Sequence, residues 1–403
     1  MLPSETDLLT PIVARVLRIE DVTWGDKQKN FIVRYRGHLY GDSETAYDQL
    51  AEALHPQEIT PLFRLEEERH VVVLVKGIVR PRPSNPRINL ILLALTVISA
   101  FLAGAWYVYD GPPAKNFLDA YWQGFVHILS GWTFALPLLA ILLAHEFGHY
   151  LAGRFHKTDV TLPYFLPLPF PGSFGTLGAF IQLKSVPKNR KILLDIGITG
   201  PLAGLLVAIP LLMWGLHLSQ VDAIPLTLPK DQGIQLEGNS LLYLGLKYLV
   251  KGDLLPSPLS YGSLPPVVYW LKYIFTGSPI PYGGMDVMLH PMAWAAWAGL
   301  LVTALNLIPA GQLDGGHLMY VLRGRRAIRL VPWILVALLL LGFVWTGWWL
   351  WAFLIFVFGR IYAEPLDLIT PLDSRRRALA ILGVVIFILV FTPVPLVMVF
   401  GGG

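Results

Sequence analysis

Apolar runs of bilayer-spanning length recur along this chain, at Ile88 to Tyr107, Gly131 to Gly153, Ile192 to Leu216 and Leu289 to Ile308. A helix needs about 20 such residues to cross the hydrocarbon core, and only helices and closed barrels satisfy their backbone there. Further apolar runs near Leu330 to Val344, Trp348 to Phe358 and Ala378 to Val399 bring the expected number of spans to about seven. Composition agrees: 54% hydrophobic residues, 14% charged residues and a mean hydropathy of +0.56 exclude an ordinary soluble enzyme. There is no cysteine, so disulfides and thiolate metal ligands are excluded.

The basic residues sit at alternate ends of these runs. Arg80, Arg82 and Arg87 precede the first, Arg154 and Lys157 follow the second, and Lys184, Lys188, Arg190 and Lys191 precede the third. Arg323, Arg325, Arg326 and Arg329 follow the fourth, and Arg375 to Arg377 precede the last. By the positive-inside rule all of them lie in the cytosol. The net charge of +4 is therefore a topology signal and not a nucleic-acid face. The opening MLPSETDLLT has no basic segment followed by an apolar core, so we expect a multi-pass protein of the cytoplasmic membrane with a cytosolic N-terminus.

Residues 1–86 read as a small soluble α+β domain, with alternating segments at Val13 to Ile19, Phe31 to Tyr40 and Val71 to Val75 around a helix, Ser43 to Leu54. Asp42 or Ser43 is its expected cap, and Tyr47, Leu50 and Leu54 its buried face. His38, His55 and His70 are scattered and expected at the surface. The proline-rich linker Arg80 to Arg87 leads into the membrane domain, 87–403. There Asp195 falls in an expected first helical turn, and His290, at the outer start of the fourth span, reads as a cap or an interface residue. His127, His156 and His217 have no spaced partner, Trp345, Trp348, Trp349 and Trp351 read as an interface belt, and Gly401 to Gly403 as a frayed end or a cloning remnant.

Within the second run, LPLLAILLAHEFGHYLAGR carries His145, Glu146 and His149 where lipid disfavours them. Histidines four residues apart on a helix lie about 40° apart in angle and one turn apart in height, so they can chelate one metal ion. Glu146 leaves an adjacent face and reaches a metal-bound water instead of the metal. A satisfied core cluster is the alternative, but three ionisable groups on one apolar helix favour a metal site. The fourth run ends in NLIPAGQLDGGH, residues 306–317, where Pro309 and Gly311 break the helix and a turn presents Asp314 at the same depth. Between the two, Thr158 to Pro187 is rich in proline, glycine and aromatic residues and reads as a short sheet or re-entrant segment at the site. Its stretch GTLGAFIQL, with Gly175, Gly178, Ala179, Phe180 and Ile181, is the candidate edge for pairing with a substrate backbone.

HEFGH on an apolar helix, followed by Asn306, Pro309, Leu313, Asp314 and Gly315 in the order N-x-x-P-x-x-x-L-D-G, resembles the site-2 protease family of intramembrane metalloproteases; GPLAG at 200–204 and GTLGAFIQ also look like its features. The resemblance covers a catalytic core of about 88–323. It implies one Zn²⁺ ion on His145, His149 and Asp314, Glu146 as general base, and Asn306 holding the substrate backbone or the oxyanion. Helix capping is a competing role for Asn306, and His317 could be a ligand or a supporting partner. The implied activity is hydrolysis of membrane-spanning protein substrates within the bilayer near the cytosolic leaflet. A membrane metal transporter or a proteolytically inactive scaffold are the rivals; a transporter has no need for Glu146 beside the first ligand, and intact HEFGH and LDG motifs argue against the scaffold. Oligomeric state is not legible.

Overall fold

A computed structural model describes residues 8–25, 31–80, 83–228 and 233–400. Residues 1–7, Pro81 and Arg82 of the linker, and Gly401 to Gly403 lie outside the described residues.

The first described elements are α1 (Leu9–Ala14), β1 (Leu17–Trp24), β2 (Val33–Leu39), α2 (Ser43–Leu54), β3 (Ile59–Glu66) and β4 (Arg69–Lys76). The four strands form an antiparallel sheet in the order β1-β2-β4-β3. Asp42 caps α2 by accepting from Thr45 N at 2.9 Å, and Tyr47, Leu50 and Leu54 are buried on the face that covers the sheet core. Val13 belongs to α1 and not to a strand, because its face points into the same core. β3 lies at the end of the sheet, where Pro61, which cannot donate to a ladder, is tolerated.

Among the described residues, three helices are long and apolar enough to cross a membrane: α3 (Pro86–Val108), α5 (Trp132–Phe155, with a preceding 3₁₀ turn) and α6 (Arg190–Leu218). A short α4 (Phe117–Val126) joins the first two. The remaining apolar helices are shorter. These are α9 (Pro291–Asn306), α11 (Val331–Leu341), α12 (Gly347–Phe358) and α13 (Ser374–Val390), and α10 (Asp314–Arg323) follows α9. The final apolar run is only partly helical. Pro393 and Pro395 stop it, and the chain continues as strand β10 (Leu396–Phe400). Trp348 is also not part of an exposed belt: it is 1% exposed, and its Nε1 donates to Pro393 O at 2.6 Å.

The segment after α5 folds as a hairpin, β5 (Tyr164–Leu168) with β6 (Gly175–Phe180). Asn89, near the start of α3, donates to Leu162 O and Pro163 O at 2.9 and 3.0 Å, while Tyr107 at its end reaches Ser173 O at 3.3 Å. The hairpin therefore runs alongside most of α3, which binds part of its non-helical backbone.

Between α6 and α9 the chain forms β7 (Gln220–Ala223), β8 (Gly233–Glu237), α7 (Leu241–Lys251), α8 (Pro266–Thr276) and β9 (Met285–Met288). β10 pairs with β8 and β7 with β9. Lys247 on α7 is fully buried, 3.6 Å from Asp286 and 3.9 Å from Glu237, and Tyr243 donates to Glu237 at 2.8 Å. Burial and the Asp286 charge push the Glu237 carboxyl up to about 7, against the opposing pull of Lys247. A carboxyl raised in the folded state stabilises fully below its unfolded value and loses that contribution as pH rises through its folded value. Hydrogen-exchange protection of β8 and β10 is thus expected to fall between pH 5 and pH 8, and Glu237→Gln to flatten that dependence.

Candidate metal centre

His145, Glu146 and His149 are buried on α5, at 3%, 3% and 5% exposure. The helix meets α6 closely because both are indented. A Cβ on Gly148 would lie 2.6 Å from Thr199 O, one on Gly204 would lie 3.2 Å from His145 Nδ1, and one on Gly200 would overlap the His149 ring at Nε2. The glycines of GPLAG thus make room for two imidazoles, beyond permitting close helix contact. Ile196 O of α6 accepts from His149 Nδ1 at 2.6 Å, which fixes the tautomer and leaves the Nε2 lone pair facing inward.

Asp314 arrives from the other side. α9 ends at Asn306, the chain turns through Pro309 and Gly311 (φ +59°), and α10 begins at Asp314. A Cβ on Gly315 would overlap Leu307 O, and one on Gly316 would overlap Gly311 O, so the two glycines let this turn fold back on the start of α10. The carboxylate then sits 3.2 Å from His145 Nε2 through Oδ2 and 3.2 Å from His149 Nε2 through Oδ1.

The two Nε2 atoms are themselves 3.2 Å apart. A tetrahedral zinc ion with bonds of about 2.0–2.1 Å spaces its ligands by about 3.3 Å, which is the separation of the two Nε2 atoms and of each from one oxygen of the Asp314 carboxylate. The donors also need a cation. With its proton on Nδ1, His149 turns a lone pair toward a carboxylate oxygen and a second imidazole nitrogen, and that repulsion is relieved by a shared positive ion. Among the described residues, His145, His149 and Asp314 form the group able to hold a metal; His317 is outside it.

These residues line a cavity of about 130 Å³ together with Glu146, Asn306, His317 and the end of β6. One Glu146 carboxylate oxygen, Oε2, is buried there without a hydrogen-bond partner among the described residues. Asn306 Nδ2 lies 3.4 Å from His145 Nε2, so its side chain points at the site and not back onto its own helix end. Of the expected substrate edge, Ala179, Phe180 and Ile181 line the cavity. Gly175 and Gly178 do not: Gly175, at the far end of β6, packs against Ser99 and Ala100 of α3, and Gly178 faces open space.

Other contacts hold the frame. Asp195, in the second turn of α6 and not the first, accepts from Arg376 at 2.6 and 2.9 Å and pairs with His156 at 2.9 Å, which joins the ends of α5, α6 and α13. Asn189 caps α6, accepting from Ile192 N at 3.1 Å, and donates to Glu44 of α2 at 3.1 Å. Lys191, 2.8 Å from Glu44, holds that carboxyl below its usual range. Lone histidine and aspartate letters carry no local signal for such pairings. His290 caps α9, its Nδ1 accepting from Met292 N at 3.2 Å.

Residues 133–342, more than half of the chain, match the model of Peptidase family M50. An Arabidopsis thaliana protein named "Probable zinc metalloprotease EGY1, chloroplastic" is 31% identical over 268 residues, which is 64% of this chain and 43% of the relative. Its counterpart EGY2 from the same plant is 28% identical over 378 residues, 90% of this chain and 60% of the relative. A rice relative (Oryza sativa subsp. japonica) named for EGY1 is 29% identical over 399 residues, 90% and 62%. The chain therefore spans less than two thirds of the length of these relatives. No solved structure matches.

Proposed function

Because the chain belongs to peptidase family M50, we propose that it is an intramembrane zinc endopeptidase that hydrolyses peptide bonds of membrane-spanning proteins. The observation that carries this reading is the convergence of His145, His149 and Asp314 from distant parts of the chain to within reach of one ion, with Glu146 buried alongside. A transporter needs the three ligands but has no use for that second carboxylate.

His145, His149 and Asp314 would hold one zinc ion, which when bound lowers the pKa of a water molecule toward ~7 and polarises the scissile carbonyl. Glu146 takes the proton of the attacking water at its unpartnered carboxylate oxygen and delivers it to the departing amine nitrogen, so that the C–N bond breaks without expelling an amide anion. Asn306 offers its amide N–H to the carbonyl oxygen as negative charge develops there. Ala179 to Ile181 align the substrate as an extended strand. Unwinding is required, because a helical amide is shielded by its own turn.

The N-terminal sheet is a cytosolic domain, 1–86, and the membrane domain is 87–403. The seven apolar helices α3, α5, α6, α9, α11, α12 and α13 are embedded in the bilayer, with the basic clusters inside. The site thus lies near the inner leaflet, and the membrane is that of the cell. The test is zinc analysis of purified protein beside cleavage of a panel of single-span proteins in detergent. Cleavage should stop with a chelator and return with zinc; bound zinc without cleavage across the panel overturns the reading.

A further inference from the structure

A second cavity, of about 320 Å³, shares no lining residue with the metal centre. Trp294, in the first turn of α9, lines it, whereas Asn306 at the other end of α9 lines the metal-centre cavity, about 18 Å away along the helix. Tyr107 near the end of α3 and strands β8 and β9 supply the remaining walls. The volume falls at the small end of the range of ligand pockets, about 300–1,000 Å³.

Most of the lining is apolar, with Ile234, Leu236, Val287 and Leu289 contributing, but two carboxylates belong to it: Glu237 of β8 and Asp286 of β9. They are 7% and 3% exposed. Each gives one oxygen to the protein. Glu237 Oε1 accepts from the Tyr243 hydroxyl at 2.8 Å, and Asp286 Oδ1 accepts from Val287 N at 2.8 Å. Glu237 Oε2 and Asp286 Oδ2 accept no hydrogen bond among the described residues. Lys247 does not fill that gap. Its Nζ approaches the oxygens already engaged, at 3.9 Å from Glu237 Oε1 and 3.6 Å from Asp286 Oδ1, and makes no hydrogen bond among the described residues. One ammonium against two carboxylates leaves an excess of negative charge beside the cavity when both acids are ionised.

The aromatic wall adds a third polar feature. Trp294 stacks on Trp297 with centroids 4.9 Å apart and 8° between planes, and Tyr107 meets it edge-on at 5.7 Å. Trp297 Nε1 donates to Gly238 O at 2.9 Å. Trp294 Nε1 is buried and has no partner among the described residues, although a buried indole N–H normally finds one.

We propose that this cavity binds a protonated primary amine on an apolar stem, with the ammonium on Glu237 and Asp286 and the stem against Tyr107 and Trp294. The inference goes beyond the protease reading and does not depend on it. An ammonium carries three donors and no acceptor, which suits two carboxylate oxygens left without partners, and aromatic faces favour a cation. The unpartnered indole N–H suits an oxygen on the stem. A calcium ion fits poorly, because it needs six to eight oxygen ligands and Lys247 holds a positive charge within 4 Å of both acids. A free amine and a lysine side chain of a polypeptide offer the same group, and the test separates them.

The full chain in lipid nanodiscs is titrated with tyramine and with tyrosol, which has a hydroxyl in place of the ammonium, and binding is read by ligand-detected NMR. A blocked peptide with a single lysine, beside the same peptide with norleucine, supplies the polypeptide arm. Tyramine is expected to bind about tenfold or more tightly than tyrosol, and Glu237→Gln to remove most of that difference. With the Glu237 carboxyl pushed up to about 7, wild-type affinity for the amine should rise about tenfold from pH 6 to pH 8 as that carboxyl ionises, and Glu237→Gln should abolish the rise. The groups facing Glu237 are Tyr243 and Lys247 of α7, Asp286 of β9 and Tyr273 of α8; burial holds both tyrosines above their usual range, so they stay neutral throughout. Wild-type circular dichroism shows that the variant has folded, and Asp286→Asn carries the same expected loss if Glu237→Gln does not fold. Binding of tyramine alone makes the occupant a free amine, and binding of the lysine peptide makes it a side chain; either supports the proposal. No binding of tyramine or lysine peptide at millimolar concentration, equal affinity within both pairs, or an amine affinity unchanged by Glu237→Gln overturns it.

Discussion

Glu146→Gln is expected to leave zinc bound at wild-type stoichiometry and to lower the cleavage rate by about 10²–10⁴-fold, the usual contribution of a general base. The substitution keeps the volume of the side chain and removes its proton-accepting carboxylate. His145, His149 and Asp314 make their mutual contacts without Glu146, so the metal should stay. Elemental analysis beside single-turnover cleavage separates the two effects. Loss of zinc in this variant would mean that Glu146 is itself a ligand, and an unchanged rate would remove it from the chemistry.

Gly200→Ala is expected to be nearly as damaging although it adds one methyl group. That methyl would occupy the space of His149 Nε2, the atom that faces the metal position, and the α6 backbone behind it is fixed by the bond from His149 Nδ1 to Ile196 O. Overpacking of this kind typically costs about 1–3 kcal/mol. Here the nearest movable group is a ligand, so zinc affinity should fall by about 10–100-fold and cleavage with it. Gly245→Ala on α7, where an added Cβ meets nothing within 4 Å, is the matched control and should leave affinity unchanged. Competition with a zinc chelator measures both. Equal affinities for the two variants would show that α6 yields more readily than its packing implies.

The metal-binding half of the site is readable in the sequence because its logic is local. Two histidines at i and i+4 meet on any helix, and an apolar context makes them costly enough to need a purpose. Asp314 is readable for a related reason: charge bias at the ends of successive spans puts NLIPAGQLDGGH at the same depth as HEFGH. The turn chemistry of Asp42, Pro309 and His290 is likewise carried by the residues themselves. Less could be read where a partner is far along the chain. Asp195 looks like a dipole-favoured carboxylate until Arg376 and His156 are brought to it, and Gly200 looks like generic helix packing until the His149 ring is set against it. Trp348 reads as interfacial because hydropathy cannot see that Pro393 O would come within reach of its indole N–H.

From sequence alone this chain was determined to be a membrane-embedded helical protein carrying two histidines, a neighbouring glutamate and a distant aspartate, since helical period, apolar run length and charge bias act over a few turns and do not depend on the rest of the fold. Tertiary structure decided which carbonyl orients His149 and which part of β6 lines the metal-centre cavity. Those are matters of packing between segments tens to hundreds of residues apart, where each backbone group and side chain takes whichever partner the whole fold brings near.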